Sequence, residues 1–405
     1  MSMSTSYAAQ RYSPLYFLAA LGAGGLVVTF FMYLMFWVPH PGQAVPILED
    51  ILRALKAGSP LRQAAIVIAW AGIAAMAFLN LKLLIWNFSA LRAFAHTEEY
   101  RELRASNGET QLLAAPLASA MTINVLFILG LVFVPGLWQV VEYLMPVALA
   151  AFVGLGIWAF RLIGDFLGRV LSTGGAFDLG QHNSFAQLLP AFALSMIAVG
   201  LSAPAALSTV KATVGASMIL STFFGTAAII YAVIAAITGI NAMLRHGTAR
   251  ESGPTLMIVV PIVTVLGIML MRQAHGLHAG FGAHGNPGEM LVFLTRLMSI
   301  EILFLMLGLV VLNRQGYFAE FVFGKTPSAG AYALICPGVA FAVLTHFFVN
   351  KGLVGAGVID RFGTAYWLAT AVALAAQALM IWLMLHLNRR HFGRHADTTR
   401  DPVTA

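Results

Sequence analysis

The chain alternates long apolar stretches with short polar ones. A bilayer core of about 30 Å takes roughly 20 apolar helical residues. On that ruler ten stretches qualify: residues 14 to 38, 62 to 87, 112 to 134, 139 to 167, 184 to 203, 212 to 244, 254 to 273, 289 to 313, 328 to 349 and 364 to 388. None shows the ten-residue alternating segments of a barrel, so each predicts a membrane-crossing helix. The expected fold is an all-α polytopic membrane protein, with spans one to ten in a transmembrane domain from 14 to 388. Residues 1 to 13 and the basic residues 389 to 405 are expected to be tails. The polar connector 88 to 111, which holds "RAFAHTEEYRELRASNGETQ", is expected to form an amphipathic or surface helix with a solvated charged face.

Composition settles the class. The chain is 60% apolar and 10% charged, with a mean hydropathy of +0.84, far outside the range of water-soluble chains of this length. Its net charge of +7 does not predict a nucleic-acid partner, because most basic residues lie at the ends of apolar stretches, where they set topology against the lipid bilayer. Of the 23 Lys and Arg, fifteen fall on the side of the N-terminus, seven on the other, and Arg296 lies inside span eight. The positive-inside bias therefore places both termini and the connector in the cytoplasm, as an even number of spans also requires. "MSMSTSYAAQRYSP" leads into span one with no small-residue cleavage site, which predicts a retained helix.

The prolines are spaced. Pro116, Pro190, Pro261 and Pro337 fall in spans three, five, seven and nine, at separations of 74, 71 and 76 residues. Spans two, six, eight and ten have no interior proline, and span one has "GAGG" (22 to 25) as its flexible element. The repeat predicts five hairpins, each pairing a breakable odd helix with a plain even one. Proline inside a helix removes a donor and frees a carbonyl four residues back. Such groups are tolerated at membrane depth only against protein or water. The odd helices are thus expected to line a central pore, with the even helices outside; kinks that merely improve packing are the alternative.

Two stretches, "ESGPTLMIVVPIVTVLGIMLM" (251 to 271) and "KTPSAGAYALICPGVAFAV" (325 to 343), resemble the seventh and ninth helices of the tellurite-resistance/dicarboxylate transporter family. That family includes TehA-like channels, sulfite exporters, malate permeases and slow-type anion channels. The resemblance spans roughly residues 12 to 390. It implies ten helices in five hairpins around a pore, small-anion transport and a trimer; the expected location is a bacterial inner membrane. The family's ninth helix carries a "WAYxFP"-like run whose phenylalanine plugs the pore. Aligned on Ala331, Tyr332 and Pro337, this chain has Ala329 and Gly330 before the tyrosine and one extra residue before Pro337. The plug position falls nearest Cys336, as in a divergent TsoY-like branch with cysteine or selenocysteine there.

Cys336 is the only cysteine, which excludes an intrachain disulfide framework and a CxxC motif. It is either a small buried hydrophobe or a pore-facing thiol at a gate formed with Pro337 and Gly338, where the missing side chain lets backbone or substrate come close. His346, ten residues on and about 15 Å along a helix, is too distant to serve as its base. Ionisable residues inside spans are costly and therefore informative. Arg161 and Asp165 are one turn apart and predict an ion pair, whereas Arg296 and Glu301 are five apart and are expected to meet other helices. "HGLHAGFGAHGNPGE" (275 to 289), with His275, His278 and His284, is expected to be a flexible loop with no metal site. No Walker motif, GxSxG elbow or paired-carboxylate constellation appears, and no cofactor is expected. The sequence thus points to a channel or secondary transporter for small anions, such as sulfur or selenium oxyanions. A membrane-embedded thiol enzyme or redox sensor using Cys336 is the alternative.

Overall fold

The computed structural model describes residues 12–173, 183–281 and 286–392. Residues 1–11, His284 and the tail from residue 393 lie outside the described residues. Among the described residues ten helices are long and apolar enough to cross a membrane. They are Pro14–Trp37, Pro60–Phe94, Asn107–Phe133, Leu137–Thr173, Phe185–Leu207, Lys211–His246, Gly253–His278, Pro287–Arg314, Ala329–Leu353 and Thr364–Phe392. These are spans one to ten, and the protein is an all-α polytopic membrane protein.

Spans one, three, five, seven and nine form a closed ring: each packs on the next, and span nine packs back on span one. The even spans lie outside it, each against its own hairpin partner. Burial follows this division. Between 50% and 94% of each odd span's most apolar window is buried, against 11–33% for the even spans. The even helices turn Phe78, Tyr143, Ile219, Leu303 and Leu368 outward, as a lipid-facing surface requires.

The prolines do not act as expected. Each odd span begins as a 3₁₀ segment: Pro14–Tyr16, Asn107–Leu113, Phe185–Leu188, Gly253–Met257 and Ala329–Leu334. The α-helix starts at or within two residues after it, at Phe17, Ala114, Leu189, Val259 and Ile335. Pro116, Pro190, Pro261 and Pro337 therefore sit in the first turn of an α-helix, where backbone N–H groups have no partner four residues back and proline costs little. They mark a 3₁₀-to-α junction several residues inside the span rather than a mid-helix kink. The interior breaks are elsewhere. Span five is interrupted at Ser202, just before Pro204, and span four, an even helix, contains Pro146, so the even helices are not all plain.

A second repeat accompanies the junctions. Every lead-in follows a serine: Ser13, Ser106, Ser184, Ser252 and Ser328. In four of the five the hydroxyl accepts a backbone N–H two residues on, at 3.1–3.3 Å, satisfying one of the donors a helix start leaves open. Ser252 instead offers its carbonyl to Thr255 Oγ1 at 2.6 Å.

Several boundaries differ from the sequence reading. Span two continues to Phe94, so only Glu98–Ala105 forms a separate helix in the connector. Span ten continues through Arg389 and Arg390 to Phe392, so the basic tail begins as helix. An additional short helix, Leu48–Ala57, lies between spans one and two.

Candidate functional site

The ring encloses a cavity of about 570 Å³. All five odd spans contribute to its wall, and among the described residues Met290 is the only even-span residue in the lining. Its inner end lies at Leu21, Gly22, Met121, Phe192, Pro261 and Cys336, the level of the 3₁₀-to-α junctions. No lead-in residue lines it, and buried side chains such as Leu113, Leu188 and Leu334 fill the lead-ins. Its other end lies among His40, Gln43, Ala206, Leu207, His278 and Lys351, where Ala274, His275, His278 and Lys351 are exposed. The space is a vestibule, open at the C-terminal ends of the odd spans and closed at their junctions.

The wall is mostly apolar, with Val, Leu, Ile, Phe and Met from every odd span. Among the described residues its ionisable groups are His40, Arg272, His275, His278, Lys351 and Cys336, and no carboxylate lines it. Four of the basic groups converge near the mouth from two spans. Arg272, His275 and His278 lie on span seven, which stays helical through Phe281. The expected flexible loop therefore begins later than "HGLHAG", and helical spacing places His275 and His278 three apart along one side of the helix. Lys351 lies in a π-helical end of span nine, Phe348–Leu353; such wider turns often occur at functional sites. Arg272 is held by a 2.7 Å bond from Nη1 to the carbonyl of Val199 on span five, just before the break at Ser202.

Cys336 is buried, with its residue 8% exposed, and it forms part of the cavity wall. Pro337 and Gly338 do not line the cavity. Gly338 faces the outer helix of span ten, where an added Cβ would meet the sulfur of Met380 at 2.4 Å. The glycine serves helix packing, so of the expected gate only the thiol faces the cavity. Pro261 lines the cavity, whereas Pro116 and Pro190 are buried in the ring. Phe192, from span five, reaches the level where the resemblance expects an aromatic plug from span nine. His346 is enclosed by Tyr33, Phe36 and Trp37 rather than near the thiol.

The expected ion pair is replaced by another. Asp165 pairs with Arg104 of the connector helix at 3.2 Å, while Arg161 is exposed on span four. Arg104 also pairs with the buried Glu109, as does Arg169. Burial works against the charge on Arg104, but Glu109 and Asp165 outweigh it and hold its guanidinium above its usual pKa. One turn of helix was the right reach, but the connector folds back and offers a partner of its own. Arg296 is exposed on the outer face of span eight. Glu301 of the same span is fully buried and hydrogen-bonded to Thr264, a cavity-lining residue of span seven. No group of three or more possible metal ligands occurs among the described residues.

Sequence reasoning used Arg272 and Lys351 only to assign topology. The available signal was that both stand at the C-terminal ends of odd spans, which a ring brings together. Compared with models of protein families and with curated proteins, the chain matches none.

Proposed function

We propose that the protein is a channel or secondary transporter for small anions of the size of sulfur or selenium oxyanions. It would lie in a bacterial inner membrane with both termini cytoplasmic, as a homo-oligomer and, by the family resemblance, a trimer. The observation that carries the reading is the sign of the vestibule: among the described residues Arg272, Lys351 and three histidines line it and no carboxylate does. A charge-selective cleft with low-dielectric walls concentrates ions of the opposite sign, and pore selectivity follows from the charges and constrictions along it. Anions collected at the mouth would pass down an apolar wall to a constriction at Leu21, Met121, Phe192 and Cys336. Transport then requires the junctions to move, because the vestibule is closed there.

The thiol-enzyme reading is favoured by one fact, the place of Cys336 on the cavity wall. Against it, no ion pair or side-chain hydrogen bond from a base reaches the thiol among the described residues. Purified protein in liposomes separates the two readings. Chloride, nitrate, sulfite and selenite fluxes are measured with wild type and with Cys336→Phe, which returns an aromatic ring to the constriction. The transport reading expects anion flux in wild type and at least a tenfold loss in the variant. It fails if no anion moves, or if the ring leaves every flux unaltered.

A further inference from the structure

Glu301 has no role in the vestibule as described, yet it is the buried carboxyl next to it. Its residue is 0% exposed, on an even span whose most apolar window is only 11% buried. Oε1 is hydrogen-bonded with Thr264 Oγ1, and Oε2 has no hydrogen-bond partner. Thr264 is itself buried and lines the cavity, so a single hydroxyl separates the carboxyl from the vestibule.

The hydrogen bonds around Thr264 count the protons. A threonine hydroxyl carries one proton and accepts others. Oγ1 lies 3.0 Å from the carbonyl of Val260 and also within reach of Glu301 Oε1. Each contact has a proton of its own only when Glu301 is protonated, so that its O–H donates to Oγ1 while Oγ1 donates to Val260. An ionised carboxylate would compete with Val260 for the one hydroxyl proton and leave Oε2 uncompensated in a buried site, where an unpaired charge is expensive.

Among the described residues no cation pairs with it. Span eight packs on span seven, on the lead-in Gly253–Met257, and on span nine with its π-helical end. Their ionisable groups are Arg272, His275 and His278 in span seven, none in the Gly253–Met257 lead-in, and Tyr332, Cys336, His346 and Lys351 in span nine. Span eight itself adds Glu289, Arg296 and Arg314. No ion pair from any of these reaches Glu301 among the described residues.

From this geometry we infer that Glu301 is a proton-binding site read from the vestibule through Thr264, and that it makes anion passage proton-coupled. The inference rests on the anion reading above. An anion beside Thr264 is repelled by a carboxylate behind it and tolerated by a neutral carboxyl. Anion occupancy therefore favours the proton on Glu301, and by linkage the proton favours the anion by the same factor. The proton arrives from vestibule water by exchange through the Thr264 hydroxyl and leaves through the same hydroxyl once the junctions have moved and the cavity opens to the other side, with no other atom changing its bonding. The coupling has the sign of symport.

Two measurements on the full-length protein test it. Infrared spectra of wild type in lipid at neutral pH are expected to contain a protonated-carboxyl C=O band that is absent in Glu301→Gln. Thr264→Val, which keeps the carboxyl and removes its partner, is expected to shift that band. Absence of the band overturns the proton site whatever is transported. In liposomes with a pH gradient, acidic outside, wild type is expected to accumulate nitrate about tenfold per pH unit, as one proton per anion requires. Glu301→Gln is expected to let nitrate only equilibrate. Nitrate flux without accumulation in wild type, or accumulation retained in Glu301→Gln, overturns the coupling while leaving the anion reading in place. Absence of nitrate flux together with a normal carboxyl band overturns the coupling and excludes nitrate as a substrate.

Discussion

At the scale of single residues the vestibule is defined by few charges on an apolar wall, so each one matters. Lys351 is exposed at the mouth on the π-helical end of span nine, whereas Arg272 is half-buried. On the 332/(εr) scale, exchanging its charge for a negative one changes the energy of a monovalent anion about 8 Å away by about 2 kcal/mol at an effective dielectric of ~40. Lys351→Glu is therefore expected to lower anion flux by about tenfold or more, and Lys351→Arg to preserve it. Liposome flux at two ionic strengths checks this, because exposed charges are screened by salt and the difference between the two variants shrinks as salt rises. Arg272 differs from Lys351 in being tied to the Val199 carbonyl. Its substitution disturbs the break in span five as well as the field, so Lys351 gives the cleaner test of charge.

At the scale of elements the ring is assembled through glycines that receive large side chains from neighbouring helices. Gly200 of span five faces the Phe152 ring of span four, and a Cβ there would lie 2.2 Å from two ring carbons. Gly200→Ala is expected to destabilise the fold by about 1–3 kcal/mol, the usual cost of overpacking a well-filled interior. Gly164 of span four has nothing within 4 Å of an added Cβ. Gly164→Ala is expected to be neutral or to stabilise the helix by about 0.5–1 kcal/mol. Thermal unfolding of the two variants in detergent, followed by tryptophan fluorescence, compares them directly. The spans themselves were legible in the sequence because a bilayer demands long apolar runs, and that demand leaves little choice of element. The ends were less legible: spans two, four and six run 35, 37 and 36 residues, beyond the hydrocarbon, where no apolar requirement marks the last turn. The proline spacing correctly suggested which spans form the ring. Its local meaning was hidden, because a proline in the first turn of an α-helix and one in its middle look alike in a linear pattern. The serine caps carried the missing information, as Ser106, Ser184 and Ser328 each announce a helix start six to ten residues before the proline. Likewise Asp165 met Arg104 rather than Arg161, because the fold-back of the connector leaves no trace in helical spacing.

At the scale of the molecule, five parallel odd spans give the vestibule a direction. All five lead-ins lie at the end of the ring where the chain first enters, and the cavity opens at the opposite end. On the proposed topology, with both termini cytoplasmic, the vestibule faces outward and Cys336 stands on its floor. A chain with one cysteine reports that arrangement without further engineering. A small anionic, membrane-impermeant methanethiosulfonate added to intact cells is expected to label Cys336, and the same reagent added to inverted vesicles is expected to leave it unlabelled. Cys336→Ala supplies the background. The field at the mouth adds a second comparison, because an anionic reagent is concentrated by Arg272 and Lys351 and a cationic one is not. Lys351→Glu is therefore expected to slow the anionic reagent by about tenfold, by the same Coulomb arithmetic as for flux, while the cationic reagent is not slowed. Labelling only from the cytoplasmic face would reverse the orientation. Equal rates for both reagents would remove the electrostatic basis of anion selection while leaving the ring, the junctions and the thiol where they are.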